Sequence, residues 1–341
     1  MSLCLRSARV GRVLTLVDSL KVVGEPTRLR ILVILDDCEA TTTEICHILG
    51  QTQPRVSRHL KLLADQGLVV RRADGARAFY QSIPVGQGHD VVQAVLGLVD
   101  PDDPQIVADR ARLEQVRHER IEQAADYFSS VADDWDQIRA LHVADSDVEQ
   151  ALLAAVPAKR FSSLLDIGTG TARVMELFAD RAKLAVGVDN NSDMLNVART
   201  NLDKPGLRHC SVRKSSAYAL DVESDSVDVA VIHHVLHFLE DVPTVFGEAY
   251  RVLRSGGQLL VVDFSRHAIE RLRDDYNHRR LGFANDEMEQ LLSEAGFTSM
   301  TTTSFSPDEP IEEKLTVTLW SAYTTTDDFV ADGNRLLEGA T

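Results

Sequence analysis

Apolar residues recur at helical spacing through the first third of the chain. Val10, Val13, Leu14, Val17 and Leu20 share one stripe, and Leu29, Ile31, Leu32 and Leu35 share another after Pro26, so two packing helices are predicted. Thr41-Thr42-Thr43-Glu44 matches a capping box, which starts a helix through Ile45, Ile48 and Leu49 that Gly50 ends. A further helix follows Thr52, a plausible cap, with Pro54 tolerated in its first turn. Val56, Leu60 and Leu63 fall on one face, Ser57, Arg58 and Lys61 on the other, and Arg55 and His59 join the basic side. Gln66-Gly67 stops that helix. Leu68–Arg72 and Arg77–Ile83 then alternate as strands around Asp74-Gly75, a strong hairpin turn. A short capped helix, a tight turn, a basic helix and a hairpin predict a helix-turn-helix with a wing.

The pattern changes at Asp100-Pro101-Asp102-Asp103-Pro104, where two prolines and three acids break any helix. From Gln105 to about Arg139 the chain is helical in pattern and strongly polar, which predicts a solvated arm joining two domains. Short apolar runs separated by helical ones then predict a parallel α/β sheet. Leu164–Ile167 runs into Gly168-Thr169-Gly170, and Val174, Leu177 and Phe178 recur at helical spacing. Leu184–Val188 ends on Asp189, and Leu207–Arg213 leads to Lys214-Ser215-Ser216-Ala217. Asp225–Ile232 ends at His233-His234-Val235-Leu236-His237, and Glu248–Leu253 is a helix ending at Ser255-Gly256-Gly257 before a strand from Gln258 to Phe264. Ala284–Ala295 is helical, and Phe297–Phe305 with Lys314–Tyr323 predicts an antiparallel pair closing the sheet.

Length and charge sharpen this division. The 341 residues suit two domains, and the net charge of −16 excludes the whole molecule as a non-specific nucleic-acid binder. The charge is uneven, with 12 Lys+Arg against 9 Asp+Glu in residues 1–90 and 24 against 43 in the remainder. Between Pro54 and Arg77 six basic residues face two acidic ones, a local excess that attracts phosphate. Cys4, Cys38, Cys46 and Cys210 have no CxxC spacing, so neither a disulfide framework nor a zinc knuckle is expected. No run approaches the roughly 18 apolar residues of a membrane span and no signal segment is evident. A cytoplasmic protein without a membrane partner is expected.

Two constellations carry candidate chemistry. On the basic helix Gln53 and Ser57 are placed to read base edges, while Arg55, Arg58 and Lys61, with Arg71, Arg72 and Arg77 on the wing, are placed on phosphate. In the second half, strand, glycine turn, helix, strand and acid reproduce a nucleoside-binding βαβ unit, in which an acid about 20 residues past the glycines accepts ribose hydroxyls. That acid is Asp189. Arg173 stands where a dinucleotide fingerprint has its third glycine, so a nicotinamide dinucleotide is the weaker reading. Three histidines in five positions (His233, His234, His237) invite a metal, but no matching carboxylate or cysteine cluster accompanies them, and no metal site is expected. His233 is the candidate wall or proton acceptor.

The stretch GEPTRLRIL, QPRVSRHLKLLADQGLV and the wing resembles the winged-helix repressors of the ArsR family over roughly residues 10–99. The resemblance implies double-stranded DNA as partner, a homodimer paired through Val10–Leu20 and Val91–Val99, and a near-palindromic operator. Thr41 and Thr43 occupy the place of the metal-sensing Cys-x-Cys pair of many relatives, and the Asp-x-His pattern of the alternative site is absent, so Cys46 is read as a small buried core residue. Asp166-Ile167-Gly168-Thr169-Gly170, Asp189 and RVLRSGGQLLVVDF resemble class I S-adenosylmethionine (SAM) methyltransferases over about residues 127–323. This implies SAM or S-adenosylhomocysteine (SAH) as cofactor. Asp166, Gly168 and Gly170 then flank its methionyl part, Asp189 holds its ribose, and Met194, Ser216 and Ala217 lie at its adenine, with Ser216 in the place of the usual acid; Asn190, beside Asp189, is a further cofactor-binding candidate. Trp135, with Tyr127-Phe128, lies in a segment that relatives place over the pocket, and His233 stands near the methyl group.

The expected fold is therefore an N-terminal winged helix-turn-helix, mostly α with a β-hairpin wing, and a C-terminal α/β Rossmann-like class I methyltransferase domain. The expected boundaries are 1–99 for DNA binding and dimerisation, 100–145 for the acidic connector and arm, 146–325 for the methyltransferase-like domain and 326–341 for a tail. The leading expectation is a transcriptional repressor whose second domain binds SAM or SAH as effector. The alternative is an active methyltransferase on a small molecule, with an autoregulatory DNA-binding domain. The segment His267–Phe283, rich in arginine, either binds an acidic acceptor or caps the crevice as a solvated face.

Overall fold

The computed structural model describes residues 16–74, 77–140, 145–157, 159–276, 278–306 and 315–325. Two compact units emerge, one of residues 1–124 with 199–208 and one of residues 125–198 with 209–341.

In the first unit residues 16–23 are helical, followed by α1 (Pro26–Asp37), α2 (Thr42–Leu49), α3 (Gln53–Asp65), α4 (Gln87–Leu96) and α5 (Pro104–Ala140), which is counted with this unit as far as Ala124. The capping box is present as read. Thr41 Oγ1 accepts from the N–H of Glu44, whose carboxylate accepts from the N–H of Thr41, and Gly50 closes α2 in the left-handed conformation. Thr52 occupies the cap position of α3 without a side-chain bond to it. Val56, Leu60 and Leu63 are fully buried in a core shared with Ile31, Leu35, Ile45, Ile48 and Val92. At roughly 1.5–3 kcal/mol per buried aliphatic side chain, that contact is what fixes which face α3 leaves outside. The wing is β2 (Val69–Asp74) paired antiparallel with β3 (Arg77–Ser82), and β1 (Ala40–Thr41) adds to the other edge of β3.

The arm is not solvated over its first half. Ile106, Leu113 and Val116 are buried, and Asp109, 1% exposed, accepts two bonds from Arg30 at 2.6 and 2.7 Å. Arg112 donates to the carbonyl of Ile48 and Arg120 to Glu44, so residues whose polarity suggested solvent are spent on buried pairs. The Asp100–Pro104 stretch is accordingly a connection inside the first unit. Residues 199–208 belong to the same unit, in which Asp203 pairs with Arg117, and Arg208 with Asp36 and Asp37. Cys46 is half-buried against the core rather than fully enclosed.

The second unit is built on a seven-stranded sheet in the order β6-β5-β4-β7-β8-β10-β9. Its strands are β4 (Phe161–Ile167), β5 (Ala182–Asp189), β6 (Cys210–Lys214), β7 (Val227–His233), β8 (Leu253–Phe264), β9 (Thr298–Phe305) and β10 (Val317–Tyr323). The first five in sheet order are parallel, and β10 and β9 close the edge antiparallel, as the sequence pattern predicts. Helices α6 (Asp145–Ala155), α7 (Arg173–Leu177), α8 (Ser192–Leu202, its last turn counted with the first unit), α9 (Val242–Val252), α10 (Arg271–Tyr276) and α11 (Asn285–Glu294) complete the α/β pattern. Both sides of the central strands are enclosed, which is why β7 and β8 read as continuous apolar runs. A second boundary differs from the sequence reading. Ser255-Gly256-Gly257 lies within β8, opposite a register break in β7, instead of between helix and strand.

Candidate nucleic-acid interface and cofactor crevice

The outer face of α3 carries the predicted DNA contacts. Gln53, Arg55, Ser57, Arg58 and Lys61 are exposed, as are Arg71 and Arg77 on the wing. Among the described residues none of these five cations is held by an acid, so their charge is available to phosphate. Two neighbours are not. Arg72 turns inward and donates to Glu39 and Gln81, while His59 is half-buried with Nδ1 3.5 Å from Glu25, and burial pushes its pKa below the usual imidazole value.

In the second unit the carboxyl ends of β4, β5, β6 and β7 bring Asp166, Asp189, Ser216 and His233 to one end of the sheet, where ligands bind in open parallel sheets. Asp166 is 1% exposed, and its Oδ2 accepts the hydroxyl of Thr169 at 2.6 Å. Its Oδ1 is buried without a hydrogen-bond partner among the described residues. Burial first, and the nearby Asp189 second, raise this carboxyl to about 7 against the opposing Thr169 bond. An acceptor left in that condition calls for a donor, and a cationic one above all.

The turn after β4 forms a cradle. Gly168 has φ +76°, and a Cβ on it would lie 2.3 Å from Cγ2 of Val235. Gly170 has φ +51° with nothing within 4 Å of a would-be Cβ, so its space is open to a ligand. Its N–H donates to Oδ2 of Asp189 at 3.0 Å, while Oδ1 of the same carboxylate accepts the N–H of Asn191 at 2.8 Å. Each oxygen keeps a second lone pair, which suits a vicinal diol. Asn190 is exposed beside it, and Met194 is half-buried in the first turn of α8, where Asn191 Oδ1 accepts its N–H. Ser216 is exposed and accepts the N–H of Tyr218 in a turn, and Ala217 packs on the core. His233 is half-buried with its ring 4.7 Å from that of His234. Tyr127, Phe128 and Trp135 lie on α5 where side chains fall outside the described residues.

One acid was missed by sequence reasoning. Asp263 on β8 is fully buried, and Nδ1–H of His237 donates to its Oδ1 at 2.7 Å. The carboxylate that the histidine run lacks locally is thus supplied by the neighbouring strand, and His234, His237 and Asp263 place donor atoms within 4.8 Å of one another. The arginines of 267–283 are largely paired: Arg273 with Glu270, Arg279 with Glu240 and Arg280 with Glu287.

Residues 25–70 match the family described as bacterial regulatory protein, arsR family, and residues 165–261 match the methyltransferase domain. The chain carries an arsR-family helix-turn-helix domain and a class I methyltransferase domain. It is 29% identical over 132 residues to the uncharacterized methyltransferase YcgJ of Bacillus subtilis, covering 38% of this chain and 52% of that protein. Identity to the arsenite methyltransferase of Halobacterium salinarum is 28% over 160 residues, covering 44% of this chain and 40% of that one. The chain thus spans about half the length of the curated relatives it matches. A solved S-adenosylmethionine dependent methyltransferase from Mesorhizobium loti is 20% identical, covering 51% of this chain and 96% of that one with a TM-score of 0.44. The cofactor of such a domain is SAM or its product SAH, and the residues of the methyltransferase domain fit it: an orphaned buried carboxylate oxygen, an open glycine cradle and a two-sided acid. No helix among the described residues is long and apolar enough to cross a membrane.

Proposed function

We propose that this protein is a dimeric transcriptional repressor whose methyltransferase domain binds SAM or SAH as its effector. What supports the reading is the presence in one chain of an outward helix whose cations no acid holds among the described residues and of a glycine turn bonded to an acid at the end of the next strand. In the crevice Asp166 holds the ligand's ammonium, Asp189 its ribose hydroxyls, Asn190 the same sugar's edge, and Met194, Ser216 and Ala217 its base, with His233 as the wall near the sulfur. Gln53 and Ser57 read bases, and Arg55, Arg58, Lys61, Arg71 and Arg77 anchor on phosphate. Leu16, Val17 and Leu20, exposed at 40 to 48%, and Leu98 at 86%, give the first unit an apolar surface suited to pairing with a second copy. Two-fold pairing calls for a near-palindromic operator with half-sites one helical turn apart. Regulation requires that the ligand bind the DNA-competent and incompetent forms with different affinity.

Titrating a DNA shift with and without SAM and SAH, beside an assay for SAH production, tests this. Ligand-dependent change in DNA binding without turnover supports it, and no ligand effect on DNA overturns it.

The second reading is an active methyltransferase that controls its own expression through the arsR-family domain. The named methyltransferases among its relatives favour it, as does the His237–Asp263 pair next to the crevice wall. SAM supplies an electrophilic methyl group when bound. The chain would then need to align an acceptor and take up its proton, which an imidazole oriented by a carboxylate does.

A further inference from the structure

We propose that His234, His237 and Asp263 form a binding site for a divalent first-row transition cation of the zinc type. The proposal goes beyond the effector reading and does not depend on it. Three donors of different origin meet here, one beyond the end of β7, one on the short 3-10 turn Leu236–Phe238 and one near the end of β8. Their ligand atoms lie within 4.8 Å of one another, and His237 and Asp263 are 2% and 0% exposed. Two imidazoles and a carboxylate are the donor set that three-ligand zinc sites use, with further positions left for water or another ligand.

The surroundings hold the donors in place. Asp263 Oδ1 also accepts the N–H of Phe264 at 2.8 Å, and Oδ2 accepts the N–H of His237 at 3.3 Å. The carbonyl of His237 accepts from both Arg279 and Arg280, at 2.9 and 3.2 Å, which pins the turn from its other side. His234 sits at φ +55°, unusual for a residue with a Cβ, with its own N–H bonded to the carbonyl of Val262. A third and a fourth imidazole are close at hand. Nε2 of His267 is buried without a hydrogen-bond partner among the described residues, and its ring lies against Phe264, whose ring also packs on His234 and His237. The ring of His278, 4% exposed, lies 4.2 Å from that of His237. Four histidines around one buried carboxylate are far more imidazole than a buried ion pair needs. Ligands on tetrahedral zinc lie about 3.4 Å apart, so a pair at the outer limit of 4.8 Å would close by about 1.4 Å, and the proton that His237 Nδ1 shares with Asp263 would be released to solvent as the cation takes its place.

The cation would share a wall with the cofactor. Val235, between His234 and the turn, is the residue whose methyl groups occupy the space above Gly168. Fixing His234 and His237 to one ion fixes Val235 between them.

The test uses the full-length protein freed of metal by chelator, titrated with Co2+ and followed by visible ligand-field absorption and by metal content after desalting. The site predicts one Co2+ per chain with the intense bands of tetrahedral coordination, displaced by Zn2+. His237→Ala and Asp263→Asn should each weaken binding at least tenfold. Because both residues are buried and a variant of either can fail to fold, His234→Gln, at a half-buried position, is the second arm and should do the same with an unchanged circular dichroism spectrum. Sub-stoichiometric binding, binding unaltered in His234→Gln, or sulfur-to-metal charge-transfer bands that place the ion on cysteine would overturn the proposal.

Discussion

The backbone N–H of Gly170 donates to Oδ2 of Asp189 across 3.0 Å, so the glycine turn and the acid at the end of the next strand are one structure before any ligand arrives. The acid is held in place by two amides and needs no reorganisation to receive a sugar. Asp189→Ala should therefore weaken SAM and SAH binding by roughly 1.5–3 kcal/mol, the range for hydrogen bonds to a charged group, about ten- to a hundredfold. Calorimetry reads the affinity and circular dichroism the fold, and unchanged affinity would remove the ribose assignment.

The carboxyl of Asp166, raised to about 7 by burial, should give cofactor binding a pH dependence if it receives the ligand's ammonium as proposed. An ammonium needs the ionised acid, so affinity should rise as pH increases through about 7, until the ligand's own amine titrates. The stability of the free protein runs the other way. A carboxyl whose folded pKa lies above its unfolded value stabilises the fold at low pH and loses that contribution between about 4 and 7 as pH rises. Asp166→Asn should then make the free protein more stable at pH 8 and its SAM affinity weaker and flatter with pH. Denaturant melts and binding isotherms across that range check both.

The two glycines of the turn should fail differently. Gly168→Ala meets Val235 at 2.3 Å in a left-handed conformation, so it should lower stability by about 1–3 kcal/mol. Gly170→Ala points its methyl into open space, so the loss should fall on SAM affinity more than on the melting temperature. Equal stability losses with no difference in affinity would argue against the cradle.

Arg58 is exposed on the outer face of α3 and free of acids among the described residues. Arg58→Ala should weaken DNA binding across all sequences and reduce the salt slope by about one, whereas Gln53→Ala should alter sequence preference with the slope intact. Fluorescence anisotropy at several salt concentrations distinguishes them, and an unaltered slope in Arg58→Ala would contradict its phosphate role.

Local signals in the sequence carried much of the fold. The capping box at Thr41, the glycine at 50 and the period of Val56, Leu60 and Leu63 each arise from contacts within a few residues, and the same residues form α2 and α3. The alternation of strand and helix likewise led to the parallel sheet and its antiparallel edge. What stayed hidden depends on partners distant in sequence. Arg72 reads as one more wing cation until Glu39 is brought beside it, and the arm reads as solvated until Arg30 meets Asp109. Asp263 reads as a strand-end acid, and only the pairing of β7 with β8 brings it to His237. In each case a charge that polarity assigned to solvent was committed to a buried partner.

The central claim is that cofactor and DNA are read by the same molecule, and linkage gives it a direct test. SAH affinity should be measured by calorimetry on the free protein and again on the protein saturated with a duplex selected from random sequence. The account predicts dissociation constants that differ by severalfold or more, matched by the same factor in DNA affinity when SAH is saturating. Identical constants in the two states would contradict it.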